Sequence, residues 1–344
     1  MESGALAGKP TSFDIAELAG VSQPTVSRAL RNSPTVNLLT RNRIHEIARQ
    51  LNYKVDKNAS NLRSRHSNTL ALLLFEDPTP DDSMINPFFL AMLGSITRAS
   101  ARRGYDLLVS FQQLSSDWPT DYEDSRKADG LILLGYGDYR DYQERLARLA
   151  QQGTHFVRWG SEVAGQPEVV VGCNNFEGGR SVTQHLIERG HKHIAFIGGT
   201  DSGAPEFVER FAGYGDAMAG AGLTADPLLQ VDASNAESAG GEAVATLIAR
   251  GAPFDAIVCA SDMIAIGAMR ALREADLSVP GDVALTGFDD ILAASLANPP
   301  LTTVVQDVHA AGELLVTKLH ELIHDGSAAS ETIPARLVVR ASSG

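Results

Sequence analysis

The stretch DIAELAGVSQPTVSRAL, from Asp14 to Leu30, places Gln23, Thr25, Ser27 and Arg28 on the polar side of a short helix that follows a glycine-containing turn. Side chains of these types can read base edges. A helix fits the major groove of DNA, where arginine grips guanine through two hydrogen bonds and glutamine pairs with adenine. An ordinary three-helix bundle would show the same apolar spacing, but the basic residues concentrated in this part of the chain weigh against it.

A second set of residues lies where strands are predicted to end: Asp77 through Phe89, then Tyr136, Trp159, the Ser261-Asp262 pair and Asp289. Hydrogen-bonding groups beside flat aromatic faces suit a saccharide, and α/β sheets gather ligands beyond the carboxyl ends of their strands. Within this set Asp262 reads as a helix cap and Phe88 as core. Catalytic chemistry finds less support. Asp289-Asp290, or Asp77, Asp81 and Asp82, offer carboxylates for a metal or for acid–base work, yet the latter three fall in a Pro-, Asp- and Ser-rich solvated loop. His191 and His193 alternate to opposite faces of a strand start. There is no phosphate-binding loop, nucleophile elbow or triad spacing. We therefore expect no enzyme, no metal and no cofactor.

Two kinds of scaffold must position these groups. Residues 12 to about 55 read as three short helices. Ser12 is expected to cap the first, with Ile15, Leu18 and Ala19 facing inward. Ser22 opens the second, Pro24 fits its first turn, and Val26, Ala29 and Leu30 form its buried stripe. The third runs from Leu39 to Leu51. Residues 54–68 are polar, and composition alone makes them a linker. From Thr69 onward apolar strands alternate with amphipathic helices, the pattern of parallel sheets covered on both faces. That length favours two α/β lobes facing a cleft.

Net charge is −13, but it is unevenly spread. Residues 1–66 carry 10 Lys+Arg against 5 Asp+Glu, a net of +5, which leaves −18 for the remainder. The basic end suits a polyanion and the acidic end repels it. Cys173 and Cys259 are the only cysteines, which excludes a disulfide framework and a cysteine-based zinc module. The longest strongly apolar run, Leu70 to Phe75, is far short of the ~20 residues that span a bilayer. With no basic-then-apolar leader, we expect no membrane association and a cytoplasmic protein.

The sequence resembles the LacI/GalR family of transcriptional repressors. AGVSQPTVSRAL, Thr40 to Ile44, Leu51-Asn52-Tyr53, NPFF from Asn86, ADGLILLG from Ala128, RGHKHIAFIGG from Arg189, ASDMIAIGAMRAL from Ala260, TGFDD from Thr286 and PPLTTVVQD from Pro299 follow in order. The likeness covers about residues 11 to 340. It implies an all-α helix-turn-helix headpiece over 11–55, a hinge helix over 56–68, and a two-lobed, periplasmic-binding-protein-like α/β core over 69–344 for ligand binding and dimerisation. Gln23, Pro24 and Arg28 match its major-groove readers. Thr11, Ser22, Thr25, Ser27, Asn37 and Thr40 match residues at phosphates or the groove edge. Leu62 matches a leucine wedged into the minor groove, with Ala59 one turn earlier, and Val55 replaces the usual proline. Arg210 matches the ligand-clamping arginine, Asp289 the hydroxyl-binding aspartate and Phe89 the cleft aromatic, while Asn235 and Ser261 stand where the family varies its ligand choice. Trp159 departs from the common aspartate, with Arg158 unusual before it.

The function so implied is a homodimeric repressor of carbohydrate-utilisation genes, bound to palindromic double-stranded operator DNA at the bacterial nucleoid and released by a small saccharide, with a glucoside the preferred guess. A purine-type corepressor that strengthens DNA binding is the alternative. No leucine heptad tail supports a tetramer.

Overall fold

The computed structural model describes residues 10–53, 66–75, 85–111, 120–135, 138–166, 168–201 and 203–344. Ala59, Leu62, Tyr136 and the loop with Asp77, Asp81 and Asp82 lie outside the described residues, as does most of the 56–68 segment. The chain divides into two compact units, Met1–Ser67 and Asn68–Gly344.

The first unit packs α1 (Ser12–Ala19), α2 (Gln23–Leu30) and α3 (Leu38–Gln50) around Ile15, Ala19, Val26, Ala29 and Ile44. Thr11, not Ser12, caps α1. Its hydroxyl and backbone N–H both donate to Asp14 Oδ2 at 2.7 Å, and Asp14 N donates back to Thr11 Oγ1. Gly20 ends α1 at φ +64°, a left-handed conformation that favours glycine. Leu18, expected inside, is 53% exposed. Asn37 caps α3 by accepting from Leu39 N.

The second unit holds two six-stranded sheets among the described residues. Its elements are β1 (Thr69–Leu74), α4 (Pro87–Arg102), β2 (Asp106–Phe111), β3 (Leu131–Leu134), α5 (Tyr139–Gln151), β4 (Phe156–Trp159), β5 (Val169–Cys173), α6 (Asn175–Glu188), β6 (Ile194–Ile197), α7 (Pro205–Gly220), β7 (Gln230–Val231), α8 (Glu237–Arg250), β8 (Ala256–Cys259), α9 (Asp262–Glu274), β9 (Ala284–Asp289), α10 (Leu292–Leu296), β10 (Thr302–Gln306), α11 (Val308–Asp325), β11 (Glu331–Ile333) and β12 (Ala335–Val338). Lobe 1 has the order β11-β5-β4-β3-β1-β2 and lobe 2 the order β12-β10-β9-β8-β6-β7. All neighbours are parallel except β10 and β12. Helices on both faces explain why the central strands are uninterrupted apolar runs. The chain crosses between the lobes after β5, after β10 and between β11 and β12.

β7, β10 and β11 lack the uninterrupted apolar run that marks the central strands in the sequence. β10 is TTVVQ, whose polar ends mimic a loop, yet Thr302 and Thr303 are fully buried. Their hydroxyls are satisfied inside, Thr302 Oγ1 donating to the Arg340 carbonyl and Thr303 Oγ1 to Asp262 Oδ1.

In lobe 2, α6 and α7 approach closely enough to exclude side chains. A Cβ at Gly179 would strike the Arg210 carbonyl, and one at Gly213 the Phe176 carbonyl. Gly179→Ala is therefore expected to push α7 outward and destabilise the chain by about 1–3 kcal/mol. A thermal melt checks this, and an unchanged midpoint would mean that the helices separate at no cost.

Candidate functional site

The first unit presents α2 as its polar face. Val26 and Ala29 are buried, whereas Ser22, Pro24 and Arg28 are exposed and Gln23, Thr25 and Ser27 half-buried. Ser22 Oγ pairs with Thr25 Oγ1 at 2.9 Å, and Gln23 Nε2 donates to Ser12 Oγ at 3.2 Å. Thr11 and Asn37 are exposed at the N-termini of α1 and α3, and Thr40 lies half-buried in the first turn of α3. The Thr11 and Asn37 side chains are engaged in capping, which leaves helix N-termini of the kind that bind phosphate. This face can hold a polyanion and reach into a groove.

In the second unit, Asn235, Ser261 and Asp289 all follow or end parallel strands of lobe 2, at the carboxyl edge where ligands collect. Arg210 joins them from α7. Its guanidinium is buried and held on several sides: Nε donates to Asn175 Oδ1 at 2.8 Å, Nη1 to the Ala260 carbonyl at 2.5 Å, and Cζ lies 3.7 Å above the Phe288 ring. Asp289 Oδ1 is 3.8 Å from Arg210 Nη1 and accepts from Gln306 Nε2 at 2.6 Å. After these bonds, Arg210 Nη2, Asp289 Oδ2 and both amide atoms of Asn235 are buried with no hydrogen-bond partner among the described residues. Buried polar atoms are normally paired. These are the groups that a polar ligand would satisfy.

Asp289 also has a φ of +117°, a region that side chains rarely adopt. Such strain persists where the surroundings impose it, and it clusters at binding sites. Burial pushes the Asp289 carboxyl up to about 7, against the lowering effect of Arg210 and of the Gln306 bond. Asp262 is raised well above the usual carboxylate range by burial and by the Asp289 charge.

Several expectations change here. Asp262 does not cap α9. Ser261 does, accepting from Ile264 N at 3.2 Å, so its buried hydroxyl is already engaged. Asp262 instead accepts from Ile291 N and Thr303 Oγ1, pinning the turn after β9 to β10. Trp159 is 2% exposed, and its ring packs against Phe88 at 5.9 Å in the lobe 1 core. A cavity of about 1000 Å³ opens beside Asp289 and Gln306, and it is lined by Phe88 and Ala91 rather than Phe89. Phe88 is buried, as expected of a core residue, and Phe89 is buried beside it with ring centroids 5.3 Å apart. Gln306 and Asn175, which orient Asp289 and Arg210, were not singled out from sequence. The strand-end position of Gln306 is the available signal, hidden because the polar ends of β10 mimic a loop. Cys173 is no nucleophile, since burial pushes its thiol up to about 12.

Residues 13–56 match the family described as bacterial regulatory proteins, lacI family, and residues 183–343 match the periplasmic binding protein-like domain. The chain is 32% identical over 336 residues to the HTH-type transcriptional regulator CelR of Thermobifida fusca, covering 96% of each. It is 30% identical to the ribose operon repressor of Escherichia coli (strain K12), covering 90% of this chain and 92% of that one. Among solved structures, a transcriptional regulator CelR-cellobiose complex superposes with a TM-score of 0.73 at 30% identity, over 97% of this chain and 99% of that one. A lac repressor dimer bound to operator and the anti-inducer ONPF gives 0.82 at 24% identity, over 98% and 99% of the two chains, a likeness of fold.

Proposed function

The chain belongs to the lacI family of bacterial regulatory proteins, and from that premise we propose that a small saccharide releases it from a palindromic operator upstream of carbohydrate-utilisation genes. It is a DNA-binding transcriptional regulator and not an enzyme. The saccharide assignment is carried by the unpartnered polar atoms of Arg210, Asp289 and Asn235, which offer donors and acceptors for sugar hydroxyls. A glucoside is the first class to test, because the CelR relative is described in complex with cellobiose.

The working unit is a homodimer assembled through the core. Leu90, Leu292 and Leu296 support this, since they are 51%, 77% and 74% exposed around the same cavity and form an apolar surface a second copy would cover. Among the described residues, no helix is long and apolar enough to cross a membrane. We assign the protein to the bacterial cytoplasm, at the nucleoid.

Fluorescence anisotropy on a labelled palindrome, titrated with salt and then with cellobiose, ribose, galactose and purines, tests the reading. Tight binding with a steep salt slope and release by one sugar is the expected result. Strengthening by a purine would replace the inducer reading with a corepressor. In the same assay Leu62→Ala is expected to weaken operator binding while leaving the sugar response intact, because an apolar wedge acts only on bent DNA. Unchanged operator affinity would remove the wedge role.

A further inference from the structure

Ser161 follows β4 in lobe 1, yet most of its partners belong to lobe 2. Its N–H donates to Glu206 Oε1 at 2.9 Å, and its hydroxyl donates to Glu209 Oε2 at 2.8 Å, both carboxylates on α7. The same hydroxyl accepts from Asn175 Nδ2 at 3.1 Å, at the crossing into α6. Its carbonyl accepts from Arg158 Nη2 at 2.8 Å, and Arg158 Nη1 lies 3.8 Å from Glu206 Oε1. Thus the N–H, hydroxyl and carbonyl of one buried serine are all engaged, and two of its acceptors are glutamate side chains.

A second strip of contact runs along the same side of the unit. Tyr139 N at the start of α5 donates to the Gly203 carbonyl at 2.9 Å, and Arg140 Nη1 is 3.2 Å from Asp201 Oδ2. Hinge opening about the crossings would part these groups together, and would leave the buried Arg158 and Glu206 short of their partners. Two-lobed cores close around ligands in general. Here the closing contacts are made by the chain's own side chains.

We propose that Ser161, gripped by Glu206 and Glu209, is an interlobe latch that holds the core closed with no small molecule bound. A saccharide then acts on a core that is already shut, and Asn175 carries the latch to the site because it bonds both Ser161 and Arg210. The proposal is independent of which molecule the cleft takes.

The test uses the full chain without added ligand. Spin labels at the exposed positions Glu144→Cys on α5 and Asp216→Cys on α7 report the lobe-to-lobe distance, and Cys173 and Cys259 are buried away from the reagent. With the labelled chain diluted into an excess of unlabelled chain, so that each dimer carries one labelled protomer, the parent is expected to give a single short distance. Ser161→Ala and, separately, Glu209→Ala are expected to add a longer population, and Ser161→Thr, which keeps the hydroxyl, to restore the short one. A melting midpoint shows that each variant is folded, with Glu209→Ala standing in should Ser161→Ala fail to fold. A parent that is already open, alanine variants with the parental distance, or a threonine variant as open as alanine would each overturn the latch.

Discussion

Arg28→Ala weakens binding to the operator by roughly 5- to 150-fold, about 1–3 kcal/mol, and relaxes discrimination at one base pair per half-site. The expectation follows from where the side chain projects. Val26 and Ala29, on either side of it in α2, are buried in the first unit's core, so Arg28 points away and is exposed. Truncating it removes no packing, and the melting midpoint should not move. Arg31 provides the contrast, because its Nε donates to the Ser27 carbonyl at 3.2 Å as part of the helix end. Arg31→Ala should therefore have a much smaller effect on base preference. The measurement is anisotropy against a set of operators substituted one position at a time. A loss of equal size on every operator, with the salt slope falling by about one, would make Arg28 a phosphate contact instead.

The groups that matter most at each end of the chain were legible because they sit at punctuation marks. Gly20 and Pro24 fix the turn and the first turn of α2, so the face that carries Arg28 follows from helical spacing. Asp289 was legible as the last residue of an apolar run. What failed was finer. Thr11 and Ser12 can both cap, and the deciding signal was the acid three residues after Thr11, which completes a capping box. Trp159 at a strand end reads equally well as cleft or core, and its packing against Phe88 cannot be read from sequence. Arg158 looked merely unusual. Its meaning depends on Glu168, ten residues on in the same lobe, and on Glu206, which is distant in sequence and meets it from the other lobe.

Asp289→Ala is expected to abolish release by the inducing sugar while leaving operator affinity within the error of the assay. The carboxylate does not belong to the headpiece, and its free Oδ2 is the acceptor a sugar hydroxyl would use. The loss should be nearly complete, because the variant also deprives Gln306 of its partner and leaves Arg210 without the nearby charge. Survival of the sugar response would move the site away from this strand end. The same residue gives a second readout through pH. Burial raises Asp289 to about 7, so between the ordinary carboxylate range and that value the folded chain keeps a proton that the unfolded chain has released. The unfolded state binds fewer protons in this window, and stability falls as pH rises through it. Asp289→Asn cannot ionise, so its melting midpoint relative to the parent should climb from about pH 4 to pH 7 and then level off. A flat difference would mean that Asp289 is ionised throughout. A sugar hydroxyl donating to Oδ2 favours the ionised carboxylate, so binding near neutral pH should release protons. Calorimetry in two buffers of different ionisation enthalpy reads that release directly. Heats that agree between the buffers would place the hydroxyl on some other acceptor, even if the alanine variant has lost its response.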